Sequence, residues 1–531
     1  MRWEPKSIPS EEAIKLLQSH IGISRNISII LNQRGINSYD KAKSFFRPQL
    51  SHLHDPFLMK DMKSATERIN NAIKNNEKIL IYGDYDVDGV ASTALLTSFL
   101  RQKNVNISTY IPDRETEGYG ISVNGINKAI KKGVSLIISI DCGIKAIKEI
   151  EYAKSNNIDF IICDHHLPES EIPKAIAVLD PKRDDCEYPF KELCGCGIGF
   201  KLIQALSIEW GIDIQKLNNY LDLVSLATAA DQVPLNEENR TITYLGLRQI
   251  NENPRPGIKA LLYDFKGHQI SSSTLVFKLS PKINSAGRMK HASLALKLLL
   301  CKKIEHTIDL TEQIRTINAM RQEEDKKTTE EALIQIKKKE EELFSSTLVH
   351  NDNWHSGVLG IVASRLIEKY YRPTIVLTKR DEYYIGSARS IKGFDVYKAL
   401  KKCSCLLEKY GGHKYAAGLK IHESKLELFR NEFEKISLKN ISENQKKMTY
   451  TYDIEISLND LDIKFLKIIE EMGPFGPNNL KPIFCTKECV STLQTRSVGI
   501  ENQHLKLYIK SENKTYKGIA FGRGNIVNKI K

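Results

Sequence analysis

KILIYGDYDVDGVAS, Lys78 to Ser92, is the stretch on which the fold turns. Lys78 to Tyr82 has the apolar, β-branched make-up of a short buried strand. Asp84, Asp86 and Asp88 then fall at every second position, Gly89 follows, and Val90 to Leu100 reads as a helix with an apolar face. Three carboxylates against the carboxyl end of a buried strand repel one another unless a counter-charge is present. A solvated acidic loop is the plain alternative; hard divalent cations held by oxygen ligands fit the position better.

The same rhythm continues outward. Asp61 to Lys74 is expected as a helix feeding this strand. Val105 to Ile111, Val134 to Ile140, Asp159 to Cys163 and Ile176 to Leu179 read as further strands, with helices at Ser122 to Lys131 and Lys145 to Ser155. Short apolar strands alternating with helices predict an α/β domain whose mostly parallel sheet is covered on both faces. In such sheets ligands sit beyond the carboxyl ends of the strands. Those ends carry Asp141-Cys142-Gly143, Asp164-His165-His166 and Asp180-Pro181. Helices are expected at Gly195 to Trp210, Leu217 to Ala230 and Asn239 to Ile250. Asp231 closes the second of these after a run of small residues, where a helix cap or a loop position is the other reading.

Asp84, Asp86, Asp88, Asp141, His165 and Asp231, with Asp164 and His166 beside them, make an inventory for two divalent ions about 4 Å apart. Asp141 stands alone at a strand tip near the middle of the sheet and is the expected bridging ligand. His165 would ligate directly. His166, on the other face of an extended chain, would reach the phosphoryl group. Carboxylates suit Mn²⁺ and Mg²⁺, and the imidazole tilts the choice toward Mn²⁺. The chemistry implied is hydrolysis of a phosphate ester or anhydride. No Walker A pattern occurs, and no Rossmann glycine fingerprint follows the first strand.

Elsewhere the signals are thinner. Residues 1–60 read as a small helical segment without chemistry. Leu279 to Met289, LSPKINSAGRM, reads as a polar glycine-containing loop with Arg288 projecting toward an anion. From His291 to about Phe344 the pattern is helical and densely charged, and predicts a long, largely exposed connecting helix. A second α/β unit is expected from Ser346, with strands at Thr347 to His350, Pro373 to Thr378 and Tyr383 to Ala388. Tyr410 to Gly418 reads as a glycine-rich turn in which Gly411 and Gly412 leave room for a phosphate, with His413 and Lys414 at its rim; a structural turn is the equal alternative. From Lys446 short strands and turn residues predict a small β domain, in the manner of a five-stranded barrel of the oligonucleotide-binding type. Lys506, Tyr508, Lys510, Tyr516 and Phe521 would offer charge and stacking surfaces to a single strand.

The chain has 531 residues, enough for three or four domains, and a net charge of +13, which suggests a polyanionic partner. Its ten cysteines include no CxxC pair, so neither a zinc cluster nor a disulfide framework is expected, and a reducing compartment is implied. The first ten residues lack the apolar core of a signal peptide, and no apolar run reaches membrane-spanning length. A soluble, cytoplasmic protein is expected.

With these residues in hand the chain resembles the DHH phosphoesterase superfamily: GDYDVDG, Asp141, Asp164-His165-His166 and Asp231 are the matching motifs. Within it the chain is similar to the bacterial RecJ exonucleases, through IPDRETEGYG, INSAGR, WHSGVLGIVASRL, GSARS, the Gly-Gly-His motif and PFGPNNLKPIF, over roughly residues 45–531. Tyr82 stands where many members of the superfamily carry histidine, so Asp84 is taken to supply that part of the metal shell. The resemblance implies 5′→3′ hydrolysis of single-stranded DNA by two ions, with release of 5′-mononucleotides, in recombination and repair. It implies a 5′-phosphate pocket of Arg114, Arg288, Ser387 and Arg389, and places His355 and His413 in the same cleft, with Arg288, His355 and His413 counted with Asp164 and His166 as catalytic. It implies domains at 1–60, 61–290 (catalytic), 291–345 (connecting), 346–440 (bearing the Gly-Gly-His motif) and 441–531 (nucleic-acid binding), the last closing the molecule toward a ring. Its implied partners are a helicase and the single-strand-binding protein, with the enzyme a monomer. The alternative within the superfamily is an oligoribonuclease or cyclic-dinucleotide phosphodiesterase; a catalytically dead scaffold and a pyrophosphatase are weaker readings.

Overall fold

The computed structural model describes residues 2–338, 344–487, 489–512 and 514–530. The strand foreseen at the head of the acidic stretch is Ile79–Gly83, buried throughout. It joins four more in a parallel sheet of order Ile107–Tyr110, Ile79–Gly83, Leu136–Ile140, Asp159–Cys163, Ala177–Leu179. Alternate residues of one strand feed two cores. Ile79 and Ile81 pack on one side with the helix Val87–Leu100; Leu80 and Tyr82 pack on the other. That double burial is why these strands read as unbroken apolar runs. The strand order reverses direction between Ile79–Gly83 and Leu136–Ile140, so the tips bearing Asp84 and Asp141 flank the crevice where open α/β sheets bind ligands.

The second α/β lobe carries a five-stranded mixed sheet of order Lys409–His413, Ala416–His422, Tyr383–Arg389, Thr374–Arg380, Thr347–His350. The helix Leu359–Tyr370 covers one face, packing Val362, Ala363 and Leu366 on Val349 and Val376. Phe429 and Phe433 of the helix Leu426–Asn440 pack on the other face with Ala388 and Ile421. Both lobes belong to one compact unit, Pro48–Met448 with Pro474–Asn479. The short 474–479 arm is fastened there by Leu235 N–H donating to the Pro477 carbonyl at 2.7 Å and Ser272 Oγ donating to that of Phe475 at 2.6 Å.

The other unit takes the chain up to Arg47, Thr449–Gly473 and everything from Leu480. In it the strand Arg2–Pro5 pairs in parallel with Thr449–Tyr452. The Asp453 carboxylate gathers distant segments, accepting from Lys6 Nζ at 2.9 Å and from the Ile483 amide at 2.9 Å. The β-rich tail forms an antiparallel sheet in which His504–Ser511 pairs with Val490–Ser491, Arg496–Val498 and Lys514–Ala520, beside a parallel pair, Ile454–Glu455 with Phe484–Cys485.

Four expectations need correction. LSPKINSAGRM is a helix, Ser280–Met289, not a loop. Pro281 sits in its first turn, where no amide is missed, and Gly287 lets the helix press on the acidic stretch: a Cβ there would lie 2.5 Å from the Tyr85 carbonyl oxygen. Tyr410–Gly418 is not a turn but a hairpin, Gly411 and Gly412 lying inside strand Lys409–His413 and Gly418 inside its partner Ala416–His422. The connecting helix, Ile308–Lys338, is long as expected, but one face is buried at Ile314, Ile317, Arg321, Asp325, Thr328, Ala332 and Ile336. Asp325 accepts from Arg365 Nη2 at 2.6 Å, so the helix packs on the second lobe and is not largely exposed; positions 339–343 of that stretch lie outside the described residues. In the tail, Tyr516 pairs with Ile509 and Tyr508 with Lys517, so Tyr516 faces away from Lys506, Tyr508 and Lys510 and the proposed stacking set is split between two faces.

Candidate active site

The acidic loop is locked before any ligand enters. Asp86 caps the helix Val87–Leu100 by accepting from Gly89 N–H at 3.1 Å. Asp88, in its first turn, accepts from the amides of Gly195 (2.7 Å) and Cys196 (2.8 Å), buried donors at the start of the helix Gly195–Glu209 that have no partner within it. Asp84 is buried with Oδ1 lacking any hydrogen-bond partner. Asp141 sits at φ +62°, a left-handed conformation uncommon outside glycine, and Gly195 makes room for it: a Cβ on Gly195 would lie 2.6 Å from that of Asp141.

His165 organises the centre. Its Nε2 is 3.2 Å from Asp141 Oδ1, 3.7 Å from Asp231 Oδ2 and 3.9 Å from Asp88 Oδ2. Asp84, Asp86 and Asp141 present ligand atoms within 4.8 Å of one another, as do Asp88, His165 and Asp231, and Asp141, His165 and His166. Burial, then the neighbouring carboxylates, drives Asp84, Asp141 and Asp231 well above the ordinary carboxylate range, and Asp88 up to about 6. Burial and the adjacent His166 charge press His165 down to about 3. The centre is thus a neutral imidazole among crowded carboxylates that cations would relieve. An orphaned, solvent-shielded oxygen on Asp84 and an oxygen-rich donor set fit Mn²⁺ or Mg²⁺. Cys194 and Cys196 are buried nearby, and burial followed by the Asp88 charge keeps both thiols protonated, so they serve as small packing residues.

Asp164 stands outside this cage. Its Oδ1 accepts from His166 Nδ1 at 2.7 Å and from the His165 amide at 2.8 Å, and its Oδ2 from the Ile144 amide at 2.9 Å. Burial opposes both charges of the pair, but the bond and the attraction win: His166 rises to about 9 and Asp164 falls to about 2. Tyr119, which the sequence reading passed over, places its hydroxyl 3.1 Å from His166 Nε2 and from the Asp141 carbonyl oxygen. Its only signal was membership of the EGYG motif. Tyr82 turns the other way, its hydroxyl meeting Gly120 and Ser122, in keeping with Asp84 serving the site instead.

Beside the cage lies a cavity of about 580 Å³ lined by Arg114, Arg288, Ser387, Arg389, Gly411 and Gly412, among others. Arg389 Nη1 donates to Ser387 Oγ (2.7 Å), Arg288 Nη1 to the Gly357 carbonyl (3.1 Å), and Arg114 lies over the Tyr85 ring at 4.9 Å. Burial and mutual repulsion lower Arg389, and bring Arg288 down to about 10; cations held together at such cost mark an anion site. His413 is lowered by burial and then by the charges of Arg389 and His166. His355 caps a short helical turn, its Nδ1 accepting from Gly357 N–H at 3.0 Å. Neither histidine lines the cavity.

Comparison with known proteins identifies the domains that carry this site. Residues 78–228 match the DHH family, N-terminal domain, residues 341–437 the DHHA1 domain, and residues 452–531 the RecJ OB domain. The single-stranded-DNA-specific exonuclease RecJ of Escherichia coli is 33% identical over 483 residues, covering 87% of this chain and 83% of its own length. The chain belongs to the RecJ family. The RecJ of Bacillus subtilis is 35% identical over 99% of this chain, which spans 66% of that relative's length. Among solved structures of RecJ proteins, one of an exonuclease RecJ bound to manganese superposes with a TM-score of 0.65 at 28% identity, over 75% of this chain and 99% of its own. The RecJ of Thermus thermophilus in complex with Mn²⁺ gives 0.86 at 24% identity, over 98% of this chain and 74% of its own, and shows the shared RecJ fold. Among the described residues no helix is long and apolar enough to cross a membrane.

Proposed function

We propose that this chain is a metal-dependent exonuclease that degrades single-stranded DNA from the 5′ end, releasing 5′-mononucleotides, in DNA repair and recombination. The observation that carries this reading is the position of Tyr85. It stands between Asp84 and Asp86 of the cage, and its ring supports Arg114 of the cavity at 4.9 Å. Cage and anion pocket are therefore neighbours, and a terminal phosphate held in one would present a phosphodiester to the other.

Asp84, Asp86, Asp88, Asp141, His165 and Asp231 would hold two Mn²⁺ or Mg²⁺ ions, with Asp141, which belongs to two of the ligand groups, placed to bridge. When bound, the ions supply Lewis-acid activation of the water and phosphate oxygens. His166, kept protonated by Asp164 and oriented by Tyr119, would donate to the charge that develops on the scissile phosphate. Arg114, Arg288 and Arg389 would hold the 5′-phosphate through planar, charge-assisted forks, with the Ser387 hydroxyl donating beside them, and so set the direction of digestion. Gly411, Gly412, His413 and His355 are read as lining the strand's path. The same reading gives catalysis to residues 61–290, with 291–345 connecting them to 346–440, and strand capture to 441–531, leaving 1–60 without chemistry. It gives the enzyme, a cytoplasmic monomer, a helicase and the single-strand-binding protein as helpers.

The test is digestion in Mn²⁺ of single strands labelled at either end. Mononucleotides liberated first from the 5′ label are expected; release from the 3′ label, or endonucleolytic fragments, would overturn the reading.

A further inference from the structure

We propose that the anion pocket continues past the terminal-phosphate subsite to a second one, formed by Lys409 and Lys420, that takes the additional phosphates of a 5′-triphosphorylated strand. This rests on the exonuclease reading above and extends its substrate class.

Arg389, Ala416 and His413 stand in one row across three neighbouring strands; Ser387, Gly418 and Gly411 form the next; Ile385, Lys420 and Lys409 form the third. Residues two apart on a strand share a face, so the three rows make one continuous surface. Apart from His413, every one of these residues lines the same cavity of about 580 Å³. That volume belongs to the range of whole ligand sites, roughly 300–1,000 Å³, and exceeds what one phosphoryl group fills. Rows are about 6.8 Å apart. The lysine row therefore lies about 13 Å from the arginine row along the strands, a gap that flexible four-carbon side chains shorten.

The floor between the two cationic rows is bare for no reason of folding. A Cβ on Gly411 would meet nothing within 4 Å, and one on Gly418 would meet only the Gly386 oxygen at 3.8 Å. Neither adopts a positive φ. Gly412 differs: it sits at φ +140° and its Cβ would lie 2.4 Å from the Ala416 oxygen. Gly411 and Gly418 thus serve the cavity rather than the hairpin, leaving its floor low enough for an extended anion.

The lysines are not committed to other charges. Lys420 Nζ rests over the Tyr383 ring at 4.0 Å, on the same face one row farther from the arginines, and would swing back along the sheet to meet the anion. Glu423, just past the end of the same strand, is taken by Lys379, and among the described residues neither Lys409 nor Lys420 has a carboxylate partner. Arginine forks suit the phosphate joined to the sugar; compact ammonium groups suit the outer phosphates as point charges.

The experiment compares kcat/KM in Mn²⁺ for one single-stranded sequence ending in 5′-hydroxyl, 5′-monophosphate or 5′-triphosphate. It uses the full chain, the double variant Lys409→Ala/Lys420→Ala, and Gly411→Val, which raises the floor at a position with space for a side chain. Fluorescence anisotropy of the same strands in chelator gives binding separately from turnover. The wild-type protein is expected to accept the triphosphate within about tenfold of the monophosphate, and both variants to lower the triphosphate-to-monophosphate ratio by about tenfold, in kcat/KM and in affinity alike. The proposal is overturned if the wild-type protein rejects the triphosphate as strongly as the hydroxyl, or if the ratio is unmoved in both variants. Failure of the wild-type protein to degrade the monophosphorylated strand would instead bring down the exonuclease reading, and this inference with it.

Discussion

The carboxylate cage and the arginine pocket hold charges of opposite sign by different means. The cage is assembled at the tips of parallel strands, from loops and helix starts, and its groups are fixed by backbone amides: Gly195 and Cys196 on Asp88, Gly89 on Asp86. The pocket wall is a sheet face, where Ser387 and Arg389 take their places from strand alternation. Burial and then like charges push Asp84, Asp88, Asp141 and Asp231 toward their neutral forms, so a cation is needed to complete the cage. In the pocket the arginines stay charged, and an incoming anion is the missing partner. One site calls for cations and the other for an anion, and substitutions should separate them.

The cage should give the largest effect. Asp141→Ala is expected to lower hydrolysis by at least about a thousandfold, since a bridging ligand serves both ions. Manganese content of the purified variant should fall with it while far-UV circular dichroism stays native; substantial turnover at full metal occupancy would remove Asp141 from the bridge. The pocket should respond next. Arg389→Ala should cost about tenfold to a hundredfold in kcat/KM on 5′-phosphorylated strands and less on 5′-hydroxyl strands, because a charge-assisted bond to phosphate is worth roughly 1.5–3 kcal/mol. Equal losses on the two substrates would assign Arg389 to the scissile phosphate or to folding. A subtler displacement comes from Gly360→Ala, whose Cβ would lie 2.7 Å from Arg389 Nη2. The phosphate preference should shrink by about threefold to tenfold, with the melting temperature little changed.

The smallest effect concerns stability. Asp88 is held at about 6 in the folded cage and returns to about 3.9 when unfolded. The folded state therefore binds the extra proton, so the contribution is favourable at acid pH and is lost as pH climbs from about 4 to about 6. Thermal melts in chelator should fall across that window by a few degrees, and saturating Mn²⁺ should flatten the slope. A slope that survives metal would mean that the cage is not where the ions bind.

The same contrast decides what was legible in the sequence. Asp84, Asp141, Asp164 and His165 were visible because each follows an apolar run, and a parallel sheet places every such run's carboxyl end on one edge. The amides that grip Asp88 were not visible, since any residue supplies an amide and Gly195 lies 107 residues farther along. Arg389 entered only through family resemblance, because register is a property of paired strands and one strand does not announce its partners. Ser280–Met289 read as a loop because Pro281 and Gly287 are turn residues by composition; their use at a helix start and at a close helix–loop contact needs the neighbouring Tyr85 to be seen.

The chain passes between its two units four times, at 47–48, 448–449, 473–474 and 479–480. A single proteolytic nick at any one crossing therefore frees neither unit, for the remaining crossings still tether it. The same threading bears on gene dissection. A chain truncated at Met448 does not lose a module; it keeps Arg2–Pro5 without the Thr449–Tyr452 strand that it pairs with, and leaves an unpaired edge as a template for aggregation. During synthesis that first strand must likewise wait for some four hundred and forty residues to emerge before its partner exists, which makes closure of this unit a late event in the life of the nascent chain.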